Sequence, residues 1–139
     1  MRVLWLALFL VVAACDSASP ITLPGETTID GVTFRVDRTQ LQRGDTLELA
    51  LVNESGSDLF MGVFGCAIVE RQSGDTWETR DTDNEGACIL IGIPVGSGET
   101  YEEPYQLDVA PGTVRLVHRF SSDRGGDSEI RSPAIRVLD

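Results

Sequence analysis

Short runs of alternating apolar and polar residues follow one another along most of this chain. Residues 32–38 place Val, Phe and Val at every second position, and residues 46–53 do the same with three leucines. A period of two is typical of strands with one buried face. Gly, Pro, Asn and Asp interrupt the runs roughly every ten residues, which favours an antiparallel β-sandwich.

The pattern predicts eight strands and no helix. They cover residues 32–38, 46–53, 59–71, 76–80, 87–95, 100–109, 113–121 and 130–138. The inward positions predict a core of Phe34, Val36, Leu47, Leu49, Leu51, Ile68, Ile89, Ile91, Leu107, Val114, Leu116, Ile135 and Val137. Ile68 follows Gly62 and Gly65, and a bulge at either glycine would reverse the phase of the residues after it.

The first 14 residues follow a different pattern. Arg2 is followed by an uncharged apolar run over residues 3–14, which is shorter than the roughly 20 residues that span a bilayer as a helix. Its length is typical of the hydrophobic core of a secretory signal. The run ends in Val-Ala-Ala-Cys at residues 12–15, which resembles the lipobox of bacterial lipoproteins. The resemblance implies cleavage before Cys15 and acylation of that cysteine; a plain signal peptide or a buried strand is the alternative.

These segments predict the organisation of the chain. Residues 1–14 are a signal peptide, residues 15–28 are the lipidated cysteine and a tether, and residues 29–139 are the sandwich domain. The small, polar and proline-marked stretch 16–24 reaches at most about 30 Å. We therefore expect a protein of the cell envelope, anchored by lipid to a bacterial membrane and facing the periplasm or the cell exterior.

Charge narrows the classes of partner. The chain has 11 Lys and Arg, all of them Arg, against 22 acidic residues, a formal charge of −11. Such a surface repels phosphate backbones and anionic headgroups, so we expect no nucleic-acid partner and no polybasic docking on the membrane. Adaptation to salt and a high-GC genome both explain the absence of lysine.

Turn and strand motifs over most of residues 33–138 resemble those of bacterial immunoglobulin-like domains. They are Gly-Asp-Thr at 44–46 with the strand that follows, the hairpin at 69–77, and Ala-Pro-Gly-Thr-Val-Arg-Leu at 110–116. The pattern is also similar to the domain of BsuPI-type proteinase inhibitors. Val114 stands where such domains usually have a tyrosine, so we expect no tyrosine-corner hydrogen bond.

Two cysteines remain once Cys15 carries lipid. Cys66 and Cys88 would then lie in an oxidising compartment, where a disulfide between them is expected. A metal site would need further ligands, and His118 is the one histidine of the chain. Free thiols are the other alternative.

One acidic loop has the spacing of a cation site. Asp81, Asp83 and Glu85 supply oxygens at alternate positions before a glycine, as at the start of an EF-hand loop. The twelfth position is Gly92, where an EF-hand has a bidentate Glu. We therefore expect a solvated acidic loop and no metal or other cofactor.

The remaining polar and aromatic candidates favour structural roles. Residues 102 and 103 are adjacent glutamates on one predicted strand and should point to opposite faces. His118 lies on the inward phase of its strand, where we expect a partly buried, hydrogen-bonded ring and not a catalyst. Two hypotheses apply to the aromatic residues. In one, an aromatic platform for a sugar or peptide is formed by Trp77, Tyr101 and Tyr105; in the other, Trp77 covers the end of the core.

Taken together, the residues and resemblances predict an immunoglobulin-like antiparallel β-sandwich of about eight strands with no enzymatic activity. We expect a monomer that binds another protein through its loops or an edge strand, held at the membrane by the lipid on Cys15. The alternatives are a protease-inhibitor-like module and a carbohydrate-binding accessory domain.

Overall fold

The computed structural model describes residues 24–80 and 92–139. These residues form twelve strands and one short 3₁₀ turn, and none of their helical segments is long and apolar enough to cross a membrane. The strands are β1 (Gly25–Ile29), β2 (Val32–Val36), β3 (Gln40–Gln42), β4 (Thr46–Asn53), β5 (Leu59–Met61), β6 (Ile68–Ser73), β7 (Thr76–Arg80), β8 (Ile93–Val95), β9 (Thr100–Gln106), β10 (Gly112–Ser122), β11 (Asp127–Arg131) and β12 (Ile135–Leu138).

The strands form two sheets, which confirms the predicted all-β sandwich. The smaller sheet has the order β1-β2-β4-β9 and is antiparallel throughout. The larger sheet is built around β10, which pairs with β5 and β6 along one side and with β11 and β12 along the other. β7, β8 and β3 extend it, and the β3–β12 pair is parallel, whereas an antiparallel fold was predicted.

The core lies between the sheets and is largely the predicted one. Ten predicted members are buried there: Phe34, Val36, Leu47, Leu49, Leu51, Leu107, Val114, Leu116, Ile135 and Val137. Ile89 and Ile91 lie outside the described residues. Full burial of three leucines of β4 and two of the apolar residues of β10 shows that the period-two pattern identified the buried face.

The prediction for Ile68 was wrong because the strand that carries it is interrupted. The predicted strand 59–71 is divided into β5 and β6 by a 3₁₀ turn at Phe64–Cys66. The turn changes which residues of β6 face inward, so Val69 is buried in the core and Ile68 is half-buried. Phe64, which the alternation did not assign to the core, is fully buried by the same turn.

Two more predicted boundaries differ from the structure. Residues 25–28, assigned to the tether, form β1 together with Ile29, and β1 joins β2 through an Asp30–Gly31 turn in which both φ angles are positive, at 51° and 78°. The predicted strand 130–138 is divided into β11 and β12 at Ser132. There the Ser132 N–H donates to the Leu116 carbonyl at 2.8 Å, and its Oγ accepts from the Leu116 N–H at 2.9 Å.

The two ends of the sandwich consist of different segments of the chain. β1 starts at Gly25, where an added β-carbon would lie 2.8 Å from Thr39 and 2.9 Å from Pro133. The last strand ends beside the connection between β3 and β4, where the Arg43 N–H donates to the Leu138 carbonyl at 3.1 Å. β1 starts and β12 ends toward the same side of the sandwich, which we call the tether end. The opposite, distal end consists of the connections at residues 30–31, 54–58, 96–99 and 123–126.

Candidate functional site

The distal end is held together by the buried side chain of Asn53. Its Nδ2 donates to the carbonyls of Ser57 and Val95 at 2.7 and 2.8 Å. Its Oδ1 accepts from the N–H and the hydroxyl of Ser55 at 3.1 and 2.7 Å. The Asn53 carbonyl accepts from the Gly98 N–H at 2.7 Å. One residue therefore links two of the four loops, and all of its amide hydrogen bonds are enclosed in the protein.

Backbone bonds attach the other two loops to the same unit. The Glu54 N–H donates to the Gly31 carbonyl at 2.7 Å, and the Asp123 N–H donates to the Asp58 carbonyl at 3.0 Å. Loops tied to one another in this way lose less conformational entropy when a ligand binds. The distal end is thus a preorganised surface.

A polar cluster lies between the sheets. A Glu103 carboxylate oxygen accepts from the Phe64 N–H at 2.9 Å and from the Tyr101 hydroxyl at 3.0 Å. Burial, with a further contribution from Glu103, raises the pKa of Tyr101. Glu102, the neighbouring carboxylate, is exposed on the opposite face, as the alternation predicted. Glu103 therefore fixes the 3₁₀ turn to β9, and the two carboxylates do not share a cleft.

His118 lies next to this cluster and is only 2% exposed. Its ring packs against Phe34 and Phe64, with centroid distances of 6.3 and 5.2 Å. Burial lowers the pKa of His118 from 6.5 to about 4, although the Gly62 backbone and the Glu103 charge oppose the shift. Neither ring nitrogen has a hydrogen-bond partner of good geometry in the described part of the chain. The inward orientation predicted for this histidine is confirmed, and the Gly62 backbone is the polar group that contributes most to its electrostatics.

The outer face of the larger sheet carries a row of alternating charges, which we call the charge ladder: Arg119, Glu129, Arg131, Glu70 and Arg115. Its strands are neighbours, with Arg119 paired to Glu129 across β10–β11 and Arg115 paired to Glu70 across β10–β6. Arg119 Nε contacts Glu129 at 2.9 Å, and Arg131 contacts both Glu129 and Glu70, at 3.2 and 3.6 Å. The hydrogen bonds from Arg119 and Arg131 lower the pKa of Glu129. The ladder is one connected network.

The ladder continues onto an aromatic ring and covers an apolar residue. The Arg115 guanidinium lies 4.2 Å from the ring centre of Trp77, a cation–π distance. Val117 points to the outer face between Arg115 and Arg119, and it is buried although it does not belong to the core cluster. Arg115 and Glu70 therefore pack over this face, with side chains 24% and 13% exposed, whereas Arg119 at the other end of the ladder is largely exposed.

The three aromatic residues do not form a platform. Trp77 lies on the outer face of the larger sheet. Tyr101 packs against Phe64 inside the sandwich, with ring centroids 5.4 Å apart, and Tyr105 is partly buried against the core. Trp77 covers the ladder and not the end of the core, so neither hypothesis for these residues describes the structure.

Most predicted site residues lie outside the described part of the chain. These are Cys15, Cys88, Asp81, Asp83 and Glu85. Cys66 ends the 3₁₀ turn and is disulfide-bonded. Because Cys15 and Cys88 both lie outside the described ranges, its partner is not identified and the Cys66–Cys88 pair stays a prediction. Residues 24–80 and 92–139 contain no group of three or more His, Cys, Asp or Glu side chains arranged to hold a metal ion.

Sequence reasoning missed the surface beside β5. Phe60 was part of a predicted strand, but it was not singled out, and its side chain is 45% exposed. It borders a cleft of about 710 Å³ that Gly62, Arg119 and Asp127 also line. The pairing of β10 with β5 and with β11 brings these residues together, and no spacing in the sequence indicates it.

Comparison with known proteins adds no relative. No protein-family model matches this chain, and no curated protein matches it either. The similarity to bacterial lipoproteins and to bacterial immunoglobulin-like domains therefore stays a resemblance of the motifs quoted above.

Proposed function

We propose that this protein is a non-catalytic, lipid-anchored module of the bacterial cell envelope that binds another protein. The observation that carries the proposal is the placement of the two ends. β1 begins at the tether end, packed against Thr39 and Pro133, and the cross-linked loops around Asn53 lie at the other end. A chain attached through Cys15 would present those loops away from the membrane.

Anchoring supports binding in two ways. A short tether keeps the domain within reach of the membrane surface and raises its effective concentration toward neighbouring membrane proteins. Loops carried on a rigid sheet scaffold are also the usual location of binding residues in sandwiches.

The anchor is tested by replacing Cys15 with Ser. The variant should appear as an uncleaved or soluble protein, because acyl chains contribute about 0.8 kcal/mol per buried methylene and the acidic surface adds no attraction. Mass spectrometry of the wild-type protein should show the added acyl mass. Membrane retention of the Ser variant, together with an unacylated wild type, would refute the anchor.

Protein binding is tested by photo-crosslinking in intact cells. A photoreactive residue replaces Ser97 in a distal loop or Ser128 on β11, both of which are exposed. The matched control is Thr46, which is exposed at the tether end. We expect a discrete adduct from the first two positions and none from the third. Equal adducts from all three positions, or none at all, would contradict the proposal.

We also propose that Cys66 pairs with Cys88. The bond would join the 3₁₀ turn to the segment that precedes β8, and it would stabilise the fold by roughly 3 kcal/mol in the chain-entropy model. Non-reducing peptide mapping should recover the two cysteines in one crosslinked fragment. A Cys15–Cys66 fragment, or a Cys88 that alkylates without reduction, would exclude this pair.

A further inference from the structure

A cleft of about 230 Å³ lies at the distal end, where residues of both sheets border it. Its apolar lining comes from Val32 of β2, Leu59 of β5 and Phe120 of β10, and serines and glycines of the nearby loops surround these residues. Ile29 is directly opposite Val32 in the β1–β2 pair, so its side chain lies on the same face of the sheet, and it is 41% exposed. A large apolar side chain is therefore accessible beside a cleft with an apolar floor.

The distal loops carry many more carboxylates than cations. The connections at residues 30–31, 54–58, 96–99 and 123–126 hold five acidic residues and one arginine, a net charge of −4. These residues are all exposed: Asp30, Glu54, Asp58, Glu99, Asp123 and Arg124. Each ion pair found in the described part of the chain lies outside these four loops. The acidic residues of the sheets are often paired with arginine, whereas the distal carboxylates are not neutralised.

Two of these carboxylates are fixed to the cross-linked loops by backbone hydrogen bonds. Asp58 Oδ1 accepts from the Ser97 N–H at 3.2 Å, and Glu99 Oε2 accepts from the Gly96 N–H at 2.7 Å. Arg124 lines the cleft, and its Nη2 donates to the Gly56 carbonyl at 3.1 Å. The negative groups are thus held on a rigid unit, so a ligand would lose little entropy in ordering them.

We propose that the distal mouth, which consists of Ile29 and the four distal loops, docks a basic segment of a partner protein. Lysine or arginine side chains of the partner lie against the loop carboxylates, and an apolar side chain of the partner packs against Ile29. This inference rests on the proposed protein-binding function and names the chemistry of its partner.

Charge commits the surface to a basic occupant. The local charge of the loops and the overall charge of −11 have the same sign, so both attract a basic segment and repel an acidic one. The overall charge acts during the encounter, and the loop carboxylates act within the screening length of about 8 Å at physiological salt. Arg124 is the one charge in these loops that opposes such a partner.

The test measures the binding of a defined peptide to the full chain by fluorescence anisotropy. The probe is a fluorescein-labelled dodecapeptide with two lysines on each side of one leucine, and the control peptide has glutamines in place of the lysines. We expect the lysine peptide to bind, the glutamine peptide to bind about tenfold more weakly, and added salt to weaken binding.

Two double variants with the same net charge separate the distal mouth from the acidity of the whole chain. Asp30→Asn with Asp123→Asn removes two distal charges, and asparagine also suits the positive φ of residue 30. The matched control is Glu48→Gln with Glu102→Gln, which removes two exposed, unpaired charges from a groove of about 570 Å³ on the smaller sheet. The distal pair should weaken binding about tenfold, and the control pair less than about twofold.

Single substitutions test the other two side chains. Ile29→Thr keeps a β-branched residue on β1 and should weaken binding about threefold, because it removes apolar contact area. Arg124→Gln should strengthen binding about threefold, because it removes the opposing charge.

Three results would overturn the inference: equal binding of both peptides, equal losses from the two double variants, or weaker binding by Arg124→Gln. Crosslinking in cells distinguishes this failure from failure of the proposed function. If the Ser97 and Ser128 adducts persist in the chain with Asp30→Asn and Asp123→Asn, the partner binds the distal end through other contacts. The inference then fails while the proposed function stands.

Discussion

His118 makes the stability of this protein depend on pH, and its replacement by leucine tests that dependence. The ring is enclosed by Phe34 and Phe64 and has no hydrogen-bond partner of good geometry among the described residues. Leucine has a comparable volume and no polar atom. The substitution removes a buried group whose neutral form is favoured in the folded chain.

The magnitude follows from the two pKa values. Burial lowers the pKa of His118 from 6.5 to about 4. The unfolded chain therefore binds a proton that the folded chain does not between these values, and the free energy of unfolding falls as the pH falls. The loss is about 2 kcal/mol between about pH 7 and about pH 5, and roughly 3 kcal/mol in all. A domain of this size has only about 5–15 kcal/mol in total.

Urea unfolding of both proteins at a series of pH values measures this term. The carboxylates titrate in both chains, so the difference between wild type and His118→Leu isolates the histidine. At about pH 7 the variant should be at least as stable, because removing unsatisfied nitrogens offsets the lost aromatic contacts of about 0.5–1.5 kcal/mol. The difference in free energy of unfolding between the variant and the wild type should increase by about 2 kcal/mol by about pH 5. If the free energies of unfolding of the two proteins change equally with pH, the claim that His118 stays neutral on folding is refuted.

Three further changes test the loops and the register. Gly31 and Gly44 share a positive φ, but an added β-carbon lies 2.9 Å from the backbone of the adjacent loop at Gly31 and meets nothing within 4 Å at Gly44. Gly31→Ala should therefore lower the free energy of unfolding, measured with urea, by about 1–3 kcal/mol more than Gly44→Ala, and equal losses would contradict the close approach. Asn53→Asp should cost about 2–4 kcal/mol because it removes both buried donors, whereas an unchanged melting temperature would show that the loops are not joined there. Val69→Ala should lower the free energy of unfolding by about 2 kcal/mol and Ile68→Ala by about half as much. A larger loss for Ile68→Ala would support a strand without an interruption.

The alternation of apolar residues was sufficient to predict most of the core. In β4, every second residue from Leu47 to Leu51 is buried, because a strand with one covered face leaves no other arrangement of its side chains. β10 follows the same rule at Val114 and Leu116. The period of two is local and depends on no partner strand, so it can be seen in the sequence.

The interruption between β5 and β6 could not be located in the same way. It depends on a bond between residues 39 positions apart, in which a Glu103 carboxylate oxygen accepts from the Phe64 N–H at 2.9 Å. The glycines at 62 and 65 showed that the strand could bend, but the position of the turn is set by this acceptor on β9. Long-range hydrogen bonds of this kind leave no periodic signal.

The surface beside β5 shows the same limit more strongly. Phe60 and Arg119 each fit an ordinary strand pattern, and only the pairing of β5 with β10 puts them on one cleft. Glu129 reaches Arg119 because β10 and β11 form a hairpin, and the same carboxylate also contacts Arg131. No residue in this set is unusual by type or by spacing. What makes the set a candidate is that a guanidinium held by a carboxylate lines the same cleft as an exposed aromatic ring, and that relation exists only once the larger sheet has formed.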